Sequence, residues 1–387
     1  MTGMKEERKN KGNVPNLRFP EFEGEWEVKK LGEILKVGSG RDYKHLKEGN
    51  IPVFGTGGYM TSVNEFLFDG ESVCIGRKGT INKPFYYNGK FWTVDTLFYT
   101  YSYKNVLPKF VFNVFEQINW LMYNEASGVP SLSKSTIEQI EISIPDISEQ
   151  QKIASFLSLI DERIAAQSKI IEGLKELKAW LSKQLFSRKL RFKDDDGADF
   201  PEWKTQLLGN VTMVVSERNK NNEKLPVYSI NNKDGFVPQN EQFEGIDSDD
   251  RGYDIKLYKV INKHTFAYNP ARINVGSIGY SGNLENIIIS SLYVCFKTQD
   301  SINDNFLFHF FKTNSFNKEV LKNVEGGVRD YLFYENFSKI RFEQPCMEEQ
   351  GKITDFLSSY DYKIRIESKV LQQLEIQKKY LLKQMFI

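Results

Sequence analysis

The side chains able to do chemistry in this chain sit mostly in glycine-rich loops, and none of the spacings that catalysis needs accompanies them. No G-x-x-x-x-G-K-[ST] run cradles a nucleotide phosphate, no H-x-E or cysteine pair offers metal ligands, and no G-x-S-x-G elbow presents a serine. What remains is arginine, lysine, asparagine and tyrosine beside glycine. The first half carries Gly38-Ser39-Gly40-Arg41-Asp42-Tyr43-Lys44, Gly55-Thr56-Gly57-Gly58-Tyr59 and Gly76-Arg77-Lys78-Gly79-Thr80. In the second half, Arg218, Asn219 and Lys220 lie in one polar loop, Asn231 and Lys233 in another, Arg251 in a third, and Arg272 and Asn274 in the run Asn269 to Gly276. Glycine lets a backbone approach a phosphate closely, and Arg and Asn make bidentate bonds to guanine and adenine edges. The candidate DNA-binding residues are therefore Arg41, Tyr43, Lys44, Tyr59, Arg77, Lys78, Arg218, Asn219, Lys220, Asn231, Lys233, Arg251, Arg272 and Asn274. Polar glycine loops are also common as plain turns, so no single loop decides the matter.

Two partial motifs have blander readings. Tyr268-Asn269-Pro270-Ala271 lacks the second proline and the stacking aromatic of the Asn-Pro-Pro-aromatic set that holds a flipped base. Pro145-Asp146 followed by Glu176-Leu177-Lys178 has the letters of a nuclease set, but its second part lies within a helical run and reads as a solvated face. The residues point to binding, with no catalytic site in this chain.

The elements that must position these loops announce themselves by duplication. Glu149-Gln150-Gln151-Lys152-Ile153 opens a long run with apolar residues at three- and four-residue steps, among them Phe156, Leu157, Ile160, Ile164, Ile171, Leu174 and Leu181. Glu349-Gln350-Gly351-Lys352-Ile353 opens its copy 200 positions on, in gapless register. The narrow apolar stripe predicts two long helices paired in a coiled coil, each on the order of 55–60 Å long. Gln167 and Glu367 fall at one stripe position, where a buried polar group fixes register. The repeat extends further. Leu17-Arg18-Phe19-Pro20 to Trp26 is matched by Leu190-Arg191-Phe192 to Trp203, Gly79-Thr80-Ile81 by Gly276-Ser277-Ile278, and Phe110-Val111-Phe112 by Phe306-Leu307-Phe308. The second copy carries roughly two dozen extra, turn-rich residues between its echoes, an insertion that a surface loop tolerates. Mixed α/β lobes are expected, with strands near 72–75, 91–94, 97–101, 287–289 and 292–296. Helices are predicted over Pro108 to Met122 and Asn305 to Val324, with their aromatic faces buried in the lobe cores.

Composition narrows the classes. The chain has 387 residues, enough for two or three cores, and a net charge of +1, so any nucleic-acid surface must be local or shared with a partner. Three separated cysteines and three histidines exclude a disulfide framework or zinc cluster and fit a reducing cytoplasm. No apolar run is long enough for a membrane span.

The Leu-Arg-Phe-Pro motif with its following Trp and Leu-Gly, and the duplicated Pro-x-x-x-Glu-Gln-x-Lys-Ile helix opening at Pro145 and Pro345, resemble the specificity subunit (HsdS) of type I restriction–modification systems. That resemblance implies two target recognition domains, residues 16–146 and 191–346, after a disordered tail at 1–15. It makes residues 147–190 a central spacer helix and 347–387 a distal one, antiparallel to each other, in a pseudo-twofold whole. It further implies double-stranded DNA as ligand, read as an asymmetric bipartite target, with two methyltransferase subunits and restriction subunits as partners. S-adenosylmethionine, ATP and magnesium would belong to those partners and no cofactor to this chain. A helical adaptor that bridges two partner subunits without base readout shares the duplication and the long helices.

Overall fold

Apolar residues at helical spacing give two uninterrupted helices, a central one over Ile147–Phe186 and a distal one over Met347–Met385. Their length far exceeds what a lobe core needs. The computed structural model describes residues 12–242, 252–324 and 331–387. The chain divides into two compact units, Met1–Ile170 with Glu367–Ile387, and Ile171–Ile366, so each long helix contributes one half to each unit.

In the first unit the helices run antiparallel. Asp161 pairs with Lys378 at 2.6 Å, and Gln167 donates to the Glu367 carbonyl at 3.1 Å and to its carboxylate. The polar stripe positions thus meet each other. Ile153, Leu157 and Ile160 join Leu381, Leu382 and Met385 in one core with Trp26, Phe110 and Trp120. A mixed sheet stands over this core, with strands in the order Lys36–Ser39, Leu97–Tyr101, Phe68–Gly76, Phe85–Thr93, Glu48–Gly55 and Gly58–Val63. The Glu48–Gly55 strand runs parallel to Phe85–Thr93 and every other pairing is antiparallel. Helix Pro108–Gln117 buries Phe110, Val111 and Phe115 against it, starting with proline at the position where a missing N–H costs nothing. Of the tail expected over residues 1–15, residues 1–11 lie outside the described residues. Asn13 is held in place, bonded to the Trp26 backbone and to Ser143 Oγ.

The second unit repeats the plan with a different sheet. Leu185 of the central helix shares a core with Ile353 and Leu357 of the distal one, and Lys178 pairs with Asp361 at 2.5 Å, again antiparallel. Two four-stranded sheets replace the single large one. Their orders are Thr212–Val215, Val294–Thr298, Phe266–Tyr268, Ile278–Tyr280, and Gly235–Pro238, Val227–Asn231, Ile287–Ile289, Lys259–Ile261. The single helix expected over 305–324 is two, Asp304–Phe310 and Asn314–Asn323. The break has a local cause. Thr313 accepts from the Phe316 N–H and caps the second helix, while its own hydroxyl donates to the Phe310 carbonyl. In the first unit, too, the expected helix ends early, at Gln117, and a short 3-10 turn covers Trp120–Tyr123.

His309, 5 % exposed, sits in this second core with Ser358 Oγ 3.3 Å from its Nε2. Burial, reinforced by Lys178 and Lys312 and opposed by Asp361, pushes its imidazole down to about 4. The unfolded chain takes up that proton near pH 6.5 and the fold does not. This contribution to stability is therefore full above about pH 6.5 and is lost as pH falls towards 4, by about 3 kcal/mol. His309→Asn, which installs the residue found at Asn113 in the first copy, is expected to flatten this stretch of the profile. Urea denaturation between pH 4 and 7 checks it, and an unchanged slope would assign the dependence to other groups.

Candidate nucleic-acid interface

Each lobe is tied to its long helix by the motif residues themselves. Arg18 binds Glu149 with both arms of its guanidinium, Nε to Oε1 at 2.8 Å and a terminal nitrogen to Oε2 at 2.7 Å. Arg191 does the same to Glu349, at 3.1 and 3.0 Å, and Trp203 Nε1 adds a bond at 2.9 Å. Phe19 packs edge-on against Phe156, and Phe192 against Phe356. The neighbouring glutamines are fully buried. Gln150 accepts from the Leu107 N–H and donates to the Pro145 carbonyl; Gln350 accepts from Asn303 and donates to Pro345. The Leu-Arg-Phe and Glu-Gln motifs are the two faces of one joint.

In the first unit the three glycine loops converge on the turn Thr93–Leu97. Gly40 donates to the Leu97 carbonyl, Arg41 to Thr93 at 2.8 Å, and Arg77 and Lys78 both to Thr96. Val94 donates to Phe54 beside the Gly55–Gly58 turn. A Cβ on Gly40 would stand 1.9 Å from the Val94 carbonyl oxygen, and one on Gly76 2.1 Å from that of Thr80. Those two glycines are what allow Arg41 and Arg77 to sit where they do. Arg41, Lys44, Tyr59, Arg77 and Lys78 are exposed and Tyr43 is half-buried. Arg77 is pre-aimed, donating to the Asp95 carbonyl at 3.3 Å with its guanidinium 5.9 Å from the Phe98 ring centroid. Arg77 and Lys78 line a cleft of about 630 Å³ with Asp95, Glu125 and Lys134.

The second unit gathers fewer of the candidates. Lys233 and Asn274 line one cleft of about 400 Å³. Arg218 and Lys220 are exposed beside the edge strand Lys259–Ile261, at the far side of that sheet from Lys233. Asn219 is a correction. It is 3 % exposed, and its amide is spent within its own loop, donating to the Glu223 carbonyl and accepting from the Glu223 N–H, both at 2.9 Å. Asn231 is likewise engaged, accepting from the Lys233 and Asp234 N–H groups to shape the turn that presents Lys233. Arg251 lies outside the described residues. Arg272 is exposed and faces a separate groove of about 500 Å³ with Leu292, Tyr331 and Phe333.

Tyr331 and Phe333 are parallel rings, 5.7 Å apart, on either side of fully buried Leu332. Sequence reasoning passed them over. The signal was the alternation itself, with aromatics where the first copy has Ser131 and Ser133 around Leu132. The two partial motifs are structural. Tyr268 is fully buried against Phe337, Asn269 bonds the Ala271 N–H in a turn, and Lys178 is ion-paired with Asp361. No cluster of metal-ligating side chains exists among the described residues, nor among them a helix long and apolar enough to cross a membrane.

A duplicated α/β lobe, each copy locked to a long helix and presenting basic loops, defines a class of two-lobed binding proteins. The chain belongs to the type I restriction modification DNA specificity domain family, whose pattern it matches twice, over residues 23–176 and 205–376. It is 25 % identical to the type I restriction enzyme MjaVIII specificity subunit of Methanocaldococcus jannaschii, covering 94 % of this chain and 92 % of that one. A putative type I specificity subunit of Mycoplasma pneumoniae is 24 % identical over 86 % of this chain and 88 % of its own length. Among solved structures, the type I restriction–modification S subunit of M. genitalium superposes with a TM-score of 0.62 at 17 % identity. It covers 97 % of this chain and 99 % of that one.

Proposed function

We propose that this chain is the DNA-specificity subunit of a type I restriction–modification complex, reading an asymmetric bipartite target and catalysing nothing itself. The observation that carries this is the double family match laid over two unlike loop sets on one repeated joint. Residues 16–146 and 191–346 are the two target recognition domains, and residues 147–190 and 347–387 form an antiparallel coiled coil that sets the unread gap and gives the chain its pseudo-twofold character. The exposed residues Arg41, Lys44, Tyr59, Arg77 and Lys78 read or grip one half-site, and Arg218, Lys220, Lys233, Arg272 and Asn274 the other. Methyltransferase subunits holding S-adenosylmethionine, and restriction subunits using ATP and magnesium, supply the chemistry in the cytoplasm. With a net charge of +1, this chain relies on them for much of the phosphate grip.

Replacing residues 16–146 by the matching lobe of a relative, then mapping methylated sites in the host genome, tests the reading. One half of the methylated sequence is expected to change and the other to persist. Alteration of both halves together would remove the two-reader account, and an unaltered pattern would favour an adaptor that never touches bases.

A further inference from the structure

The register of the repeat runs on into the helix that follows strand Leu97–Tyr101 in the first unit and strand Val294–Thr298 in the second. Leu107 and Asn303 donate to the equivalent buried glutamines, and the helices begin one residue later, at Pro108 and Asp304. Counting along them sets Asn113 against His309 and Glu116 against Lys312.

In the first unit the charged side chains at this place pair with one another. Glu116 and Asp161 both grip the Lys378 ammonium, at 2.7 and 2.6 Å, and the same ammonium lies 5.6 Å from the Phe112 ring centroid. One cation answers two carboxylates. In the second unit Lys178 and Asp361 take the positions of Lys378 and Asp161 and keep their ion pair at 2.5 Å. The third member changes sign. Lys312 stands where Glu116 stood, its ammonium 4.0 Å from the Phe308 ring centroid, and no carboxylate pairs with it among the described residues. A second exchange of the same kind puts Lys175 at the position of Glu375.

Where the first copy has a filled trio, the second opens a cavity of about 590 Å³. Lys175, Lys178, Lys183 and Lys312 line it, with Trp180 and Phe186 as an aromatic wall. Burial and the neighbouring Lys178 both lower the Lys312 pKa, opposed by Asp361. Asp361 is already committed to Lys178, so the four lysines of the lining face a single carboxylate, and the cavity carries a net positive charge. A single carboxylate would neutralise one lysine. A phosphate carries up to two charges and several strong acceptors, and so suits a cluster. The volume is that of a small-molecule site, and the aromatic wall suits a flat apolar body.

We propose that this cavity binds a small phosphate-bearing ligand of the nucleotide class, its phosphate between Lys178 and Lys312 and its ring against Trp180. The ligand occupies the place that Glu116 fills in the first copy. The assignment needs neither the DNA-reading loops nor the bipartite target.

Calorimetric titration of the purified full-length chain with adenosine monophosphate, inorganic phosphate and adenosine tests it. One saturable site for adenosine monophosphate is expected, with weaker binding of phosphate and none of adenosine. Lys312→Glu rebuilds the trio of the first copy, which itself shows that glutamate fits there. It is expected to raise the Kd at least about tenfold while leaving the unfolding midpoint in place. Trp180→Ala is expected to weaken adenosine monophosphate and leave phosphate unchanged. Failure of adenosine monophosphate to saturate the wild-type chain, or an undiminished affinity in Lys312→Glu, would overturn the proposal. Equal affinities for phosphate and adenosine monophosphate would overturn the nucleotide class.

Discussion

Arg191→Ala is expected to destabilise the second unit by about 3 kcal/mol, the lower end of what breaking a buried pair from one side costs. Glu349 has 0 % of its side chain exposed, and Arg191 supplies two of its bonds, leaving, among the described residues, Trp203 Nε1 once the guanidinium is gone. The residual 20 % exposure of Arg191 lets some water in and keeps the loss from being larger. Lysine does not rescue it, because an ammonium cannot span both carboxylate oxygens. Arg18→Ala should weaken the first unit in the same way, its partner Glu149 being 2 % exposed. Hydrogen exchange under native conditions separates the two, since each variant is expected to speed exchange in its own unit. Equal loss of protection in both units from either change would show that the joints are not independent.

The second large effect concerns recognition. Arg77 is held by the Asp95 carbonyl and the Phe98 ring on a loop that Gly76 keeps tight, so its fork is already oriented for the base contact proposed above. In the assembled complex, Arg77→Ala is expected to lower affinity for the cognate duplex by about 10–100-fold and to relax one base position. Lys78→Ala should instead weaken all sequences alike and reduce the salt slope by about one. Anisotropy titrations against cognate and single-mismatch duplexes at several salt concentrations distinguish them. If Arg77→Ala weakened cognate and mismatched duplexes equally, Arg77 would be a phosphate contact and the assignment of base reading would fail.

The long helices and the repeat were legible because they are local or periodic. A three-to-four-residue apolar rhythm and a gapless 200-residue offset need no tertiary knowledge, and Gln167 facing Glu367 follows from the same stripe. The pairing of Arg18 with Glu149 was not legible, since 131 residues part them and each alone reads as a surface charge. Asn219 illustrates the opposite error. A loop asparagine that could read adenine and one that staples its own loop are the same letter, and only burial separates them. The break at Thr313 escaped because the apolar rhythm continues through it; a capping hydroxyl overrode the pattern. The two small sheets of the second unit, against one large sheet in the first, escaped because strand pairing is non-local and no spacing rule supplies the partners.

The arginine–glutamate joints also bear on how such a chain evolves. Each is a latch closed across a whole lobe, over 131 residues in one case and 158 in the other. Closing the longer loop costs only about 0.2 kcal/mol more, because the penalty grows with the logarithm of length. The surface loops threaded between latch and catch are thus free to lengthen, shuffle or be exchanged, like a cartridge in a holder, so long as the residues packed on the helices are kept.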